Sequence, residues 1–295
     1  MRGVLNIDKP SGITSYDVIR RLKPVLGTKK LGHAGTLDPL ASGVLLILVN
    51  EATKIADYLQ MPDKEYVAEI RLGIRTDTDD ITGRKLEEKS IAGITREQVA
   101  SVLLQFLGEI EQKPPAFSAL KVQGERSYRL ARKGEAVEHA PRKVRVHAAE
   151  LLGFEPPVLR LRAVVSSGTY VRALARDIGE KLGCGATLQS LVRSRVGEFL
   201  IENAVSIDDP DLASRLIPVG EALVFLPGAT VISDAVPRLL RGGTLSSDEL
   251  RMTNADCAAV ADSPIVVQDE AQRVLFIVQY SDGKLKPKRG IYADV

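Results

Sequence analysis

The chain is 295 residues long, which at roughly 150 residues per domain points to two domains. Hydrophobic residues make up 44% and charged residues 26%, ordinary globular usage that excludes a disordered, collagen-like or coiled-coil chain. The 40 basic and 38 acidic residues leave a net charge of +2, too small for the sum alone to indicate a polyanionic partner.

In chain order, Gly3–Ile7 reads as a strand. A helix follows over Tyr16–Leu26, started by Thr14 and Ser15 and stopped by Gly27. A stretch rich in Gly and small residues covers 32–43, and the apolar run Val44–Val49 leaves it as a strand. Tyr66–Leu72 is a further strand. Thr95 and Gln98 form a capping-box pattern before a helix over Arg96–Leu107. Strands are expected at Val144–Leu152 and Val158–Val165, then a helix over Val171–Leu182 with Gly183 beyond its end. This irregular order lacks a βαβ rhythm and implies an α+β fold with a mixed, largely antiparallel sheet flanked by helices. A boundary at Pro227–Gly228 separates a domain over 1–225 from a small β module over 228–295, with strand-like pieces at Pro264–Gln268 and Val274–Val278.

No apolar run approaches the roughly 18 residues of a spanning helix. The opening MRGVLNIDKPSG has neither the basic nor the apolar region of a signal peptide. A cytoplasmic protein that does not engage a membrane is expected. GxGxxG after a strand, GxxxxGK[ST], HExxH and GxSxG are all missing. Cys184 and Cys257 stand far apart, and the histidines are only His33, His139 and His147, so no metal or other cofactor is expected.

Basic residues bunch at Arg20, Arg21, Lys23, Lys29 and Lys30, at Lys121, Arg126, Arg129, Arg132 and Lys133, at Arg142, Lys143 and Arg145, and at Arg193 and Arg195. Solvated faces and a groove for nucleic acid both fit such blocks. Asp38 lies at the centre of the Gly-rich stretch, and Pro39 biases it toward an extended backbone that holds its carboxylate in one direction. It reads either as a catalytic carboxylate or as the cap of a turn. Tyr170 and Arg172 open the third helix. An arginine there opposes the macrodipole, so it calls for a carboxylate or phosphate partner, or for an ion pair with Asp177 or Glu180.

Five phrases, NIDKPSGITS (6–15), KKLGHAGTLDPLASGVL (29–45), KEYVAEIRLGIRTDTDD (64–80), PPAFSALKVQGERSYRLARKG (114–134) and SSGTYVRALARDIG (166–179), resemble in order and spacing the TruB-type tRNA pseudouridine synthases. The resemblance runs over about residues 1–220. It implies a pseudouridine-synthase catalytic domain that detaches a uracil base from C1′, rotates it and rejoins it through C5, at position 55 of the TΨC loop of tRNA. That reaction consumes no cofactor.

By this resemblance Asp38 is the nucleophile, Arg172 is the arginine paired with it, and Tyr66 stacks on the target base and is a candidate for removing the C5 proton. His33 fills the space the flipped base leaves. Lys9 buttresses the catalytic loop, Tyr170 packs beneath the pocket, and Lys9, Tyr170 and Arg193 complete the set assigned to substrate binding. The basic runs then become contacts to the T stem-loop, and a monomer acting without guide RNA is expected. Phe117 stands where relatives often carry Tyr, and Val192 where they carry Arg. The 228–295 module resembles a PUA-like RNA-binding domain in position and size. A tRNA-binding or folding chaperone without catalysis is the competing function. A glycosidase using Asp80 or Asp177 as a second carboxylate is a third.

Overall fold

The computed structural model describes residues 1–118, 120–122, 124–127, 130, 139–231, 233–241, 243–244, 249–252, 263–271, 273–281 and 284–291. In chain order its strands are β1 (Gly3–Lys9), β2 (Leu31–Ala34), β3 (Ala41–Val49), β4 (Lys64–Leu72), β5 (Ile74–Thr76), β6 (Lys85–Glu88) and β7 (Gly108–Gln112). They continue with β8 (Lys121–Val122), β9 (Glu125–Arg126), β10 (Arg142–Glu155), β11 (Val158–Val165), β12 (Ala186–Val196), β13 (Phe199–Leu200) and β14 (Val205–Ser206). A second group comprises β15 (Gly228–Val231), β16 (Leu250–Met252), β17 (Pro264–Gln268), β18 (Val274–Ser281) and β19 (Lys284–Gly290). Three helices matter to the site: α1 (Ser15–Val25), α2 (Arg96–Leu104) and α3 (Val171–Lys181).

Among the described residues, the main sheet runs β14-β1-β3-β12-β4-β11-β10-β7, with β2 on β3 and β13 on β12. Only the β1/β14 and β12/β3 pairs in it are parallel, so the sheet is mixed and largely antiparallel, as expected. A five-stranded sheet of order β16-β15-β17-β18-β19 begins at Gly228.

The apolar run of β3 has a physical explanation. Leu45, Ile47 and Val49 join a core with α1, α2 and α3, whereas Val44, Leu46 and Leu48 join a second core on the opposite face. A strand buried on both faces has no polar positions to alternate with. The second core also takes in Val219, Ala222, Leu223 and Leu226, together with Val266, Val274, Ile277 and Ile291 from the C-terminal part.

Several elements differ from expectation, most of them by one to three residues at an end. Helix α2 stops at Leu104, and three successive tight turns (Gln105 to Val102, Phe106 to Leu103, Leu107 to Leu104) lead to Gly108 at φ 90°. Strand β10 is longer than expected at both ends. Strand β2 lies in the Gly-rich stretch and pairs with β3, Leu31 opposite Val49. The capping box expected of Thr95 with Gln98 forms on α2, and α1 shows a second one, Thr14 with Asp17.

Candidate active site

The site is assembled where the β2–β3 loop meets the start of α3. One cross-strand row carries Gly43 on β3 opposite Arg193 on β12, Arg193 opposite Tyr66 on β4, and Tyr66 opposite Ala163 on β11. The loop that holds Asp38 enters β3 just before this row, and the turn leading into α3 leaves β11 just after it.

The Asp38 loop is held at several points. The Leu37 amide donates to Ser15 Oγ at 2.9 Å, and the Ser15 hydroxyl donates back to the Leu37 carbonyl at 3.0 Å. Gly12 N–H donates to the Pro39 carbonyl at 2.7 Å, and Ala41 N–H to the Asp38 carbonyl at 3.1 Å. Lys9 is fully buried and donates from Nζ to the Pro10 and Ile13 carbonyls at 2.8 and 2.7 Å. It thereby fixes the turn that presents Gly12 to the loop. Burial lowers its pKa to about 8, against the opposing pull of Asp38.

Arg193 is also inside, at 1% exposure. Its Nε donates to the Val44 carbonyl at 2.7 Å and its Nη2 to the Gly35 carbonyl at 2.8 Å. Lys9, expected to buttress the loop, and Arg193 both stand in the set read as binding substrate, and the structure places both inside. Their charged heads are committed to main-chain carbonyls under the catalytic loop and present no donor at the surface.

Arg172 is the hub. It is 5% exposed, and its Nη1 and Nη2 donate to the carbonyls of Thr78 (2.9 Å) and Phe117 (2.8 Å). Its Nε lies 2.9 Å from Asp38 Oδ2 and 3.8 Å from Asp80 Oδ2. The Nε–H is aimed at neither oxygen well enough to form a hydrogen bond, so the Asp38 contact is one of charge. The Asp38 side chain is 41% exposed, which leaves its other oxygen open to a ligand. Because Phe117 contributes its carbonyl, a Phe in place of Tyr costs nothing at Arg172.

Asp80 is the residue whose part the sequence reading missed. Its Oδ1 accepts from Thr78 Oγ1 at 3.0 Å, Thr82 N–H at 3.0 Å and Thr82 Oγ1 at 2.5 Å. Held at Oδ1 by these three donors, the carboxylate keeps its Oδ2 facing the Arg172 guanidinium. Asp177 is ion-paired through Oδ1 with Arg176, away from Arg172. The density of Asp and Thr in TDTDD was the available signal, and the sequence offered Asp80 only as a second carboxylate.

Tyr170 caps α3 from a half-buried position. Gln112, fully buried, accepts from the Tyr170 N–H at 2.8 Å and donates to its carbonyl at 3.1 Å. The Arg142 guanidinium lies over its ring, 4.7 Å from the centroid. Arg142 also donates to the Gly168 carbonyl. Tyr66 is buried on β4, and the hydrogen bonds and ion pairs of Arg172 go elsewhere. His33 is half-buried on β2, with Nδ1 buried and unpaired; burial and Arg193 hold its pKa below the usual value. Among the described residues no cluster of His, Cys, Asp and Glu could hold a metal ion, and no helix is long and apolar enough to cross a membrane. Arg129, Arg132, Lys133 and Cys257 lie outside the described residues.

Comparison with known proteins adds an independent line. Residues 23–171 match the model of the TruB family pseudouridylate synthase N-terminal domain, and residues 172–217 that of the tRNA pseudouridylate synthase B C-terminal domain. The division falls within α3, and β12 of the second stretch pairs with β3 and β4 of the first, so the two build one sheet. A tRNA pseudouridine synthase B of Dehalococcoides mccartyi is 40% identical over 90% of this chain and 91% of its own length. That of Symbiobacterium thermophilum is 46% identical over 81% of this chain and 82% of its own length. The fold resembles that in a solved Cbf5-Nop10-Gar1 complex, with a TM-score of 0.77 and 24% identity over 98% of this chain and 85% of the other.

Proposed function

The chain belongs to the TruB family of pseudouridylate synthases and makes pseudouridine in tRNA; from that premise we propose that Asp38 is the nucleophile of the isomerisation of uridine 55 in the TΨC loop. The observation that carries this reading is the 2.9 Å contact between Asp38 and the buried Arg172 guanidinium. A carboxylate with one oxygen against a fixed cation and the other open is built to attack, not to cap a turn.

The target uridine leaves its stack at a cost of a few kcal/mol, and His33 takes its place. One Asp38 oxygen bonds to C1′ as the glycosidic bond breaks, and the electron pair leaves with the uracil ring. The ring turns, C5 attacks C1′ and expels Asp38, and the C5 proton passes to a base while N1 takes up a proton, which restores the conjugated ring. Electrons and atoms balance without any redox partner. Tyr66 stacks on the base, and Arg172 keeps the Asp38 carboxylate aligned through both displacements. Tyr170 and Gln112 fix the start of α3.

Exposed Arg20, Arg21, Lys29, Lys30, Lys143 and Arg145 supply phosphate contacts to the T stem-loop. The 228–295 segment acts as a PUA-like module that touches RNA through β19, where Lys288 and Arg289 face solvent. The enzyme works in the cytoplasm as a monomer and needs no guide RNA.

Mapping pseudouridine in tRNA from cells lacking this chain tests the assignment. The modification at position 55 disappears and returns on re-expression. Its persistence in the deleted strain would overturn the assigned target.

A further inference from the structure

Arg176 stands one helical turn beyond Arg172 on α3, a spacing that puts two side chains on one face. The two arginines bridge the same pair of loops. Arg172 takes the Thr78 and Phe117 carbonyls. Arg176 donates from Nη1 to Asp79 Oδ2 at 2.9 Å and from Nη2 to the Lys113 carbonyl at 2.9 Å, with its Nε on Asp177 Oδ1 at 2.9 Å. The outer guanidinium thus clasps, at residues 79 and 113, the loops that the inner one engages at 78 and 117.

Asp79 has a φ of 60°. A residue with a Cβ stays in the left-handed region only when its surroundings over-determine it. The groups on either side of it are the two that meet Arg172: the Thr78 carbonyl and the Asp80 carboxylate. Main-chain bonds from Leu188 N–H to the Asp79 carbonyl and from Ile81 N–H to the Leu188 carbonyl tie the turn to β12. The Asp79 side chain ties it to α3, the helix that carries Arg172.

We propose that Arg176 is a positioning residue for the isomerisation: by gripping Asp79 it fixes the turn that presents the Thr78 carbonyl and the Asp80 carboxylate to Arg172, and so sets the placement of Asp38. The inference rests on the reading of Asp38 and Arg172 given above. Arg176 touches no reacting atom and acts only through its neighbour on the helix.

The test is steady-state kinetics on unmodified tRNA with Asp79→Gly, Asp79→Asn and Arg176→Gln, each checked for folding by thermal melting, with Asp38→Asn alongside. Glycine accepts the left-handed turn without strain but removes the grip. Asparagine keeps a side-chain oxygen for Arg176. We expect kcat to fall about tenfold in Asp79→Gly and Arg176→Gln, KM for tRNA to stay within about twofold, and Asp79→Asn to recover most of the rate. Asp79→Gly with wild-type kcat, or a loss confined to KM or explained by unfolding, overturns the inference. If Asp38→Asn is inactive while Asp79→Gly is fully active, only the clasp fails. If Asp38→Asn is itself active, the reading of the site beneath it fails.

Discussion

Arg172 Nε sits 2.9 Å from Asp38 Oδ2 while both of its Nη groups are spent on main-chain carbonyls. The cation therefore cannot follow the Asp38 carboxylate if that carboxylate moves. For the proposed nucleophile role, everything that fixes the charge sets the geometry of attack.

Asp80 is the first such device. Asp80→Asn keeps the shape and removes the negative charge 3.8 Å from Arg172 Nε. A network so altered lets the guanidinium drift, and kcat is expected to fall by about tenfold or more. The dissociation constant for tRNA, measured by filter binding, should stay within about twofold, because Asp80 is buried.

Arg193 separates a structural part from an RNA contact. Arg193→Met leaves the Gly35 and Val44 carbonyls without their donor and is expected to cost about 2–3 kcal/mol in urea unfolding. The salt dependence of tRNA binding should keep its slope, since no phosphate contact is removed. A shallower slope with unchanged stability would restore Arg193 to the RNA surface.

Gly43 faces the same arginine. A Cβ on it would lie 2.3 Å from the Arg193 carbonyl oxygen, and its φ is 96°. Gly43→Ala should therefore destabilise by about 2 kcal/mol or more, read as a lower melting temperature with loss of activity at the growth temperature.

Lys9 gives a pH signature. Burial brings its pKa down to about 8 in the folded chain from the ordinary lysine value of 10.5. Between those values the unfolded chain holds the proton that the folded one has released, so stability rises with pH across that window. Comparing wild type with Lys9→Met in urea unfolding at pH 7.5, 9 and 10.5 should show a smaller rise in the variant. Equal slopes would mean that Lys9 does not titrate there. The neutral amine still carries two N–H groups for Pro10 and Ile13, so activity should not depend on its charge.

The legible parts of this molecule are those that local chemistry specifies. Thr14 and Thr95 announce their helices because a capping box is complete within four residues. The α+β class follows from element order. Asp38 stands out because Gly and Pro surround it. The burial of Lys9 and Arg193 was not legible, because an exposed basic residue and a buried one look the same in a string; only the carbonyls that tertiary packing brings to them make the difference. Asp80 and Gln112 act across 92 and 58 residues on Arg172 and Tyr170, contacts that no local pattern encodes.

The most direct test of the central claim is tritium release from tRNA carrying C5-labelled uridine, with wild type and Asp38→Asn compared at equal folded concentration and saturating tRNA. The nucleophile assignment predicts release by the wild type and none above background by the variant, with tRNA binding retained. Undiminished release by Asp38→Asn would contradict it.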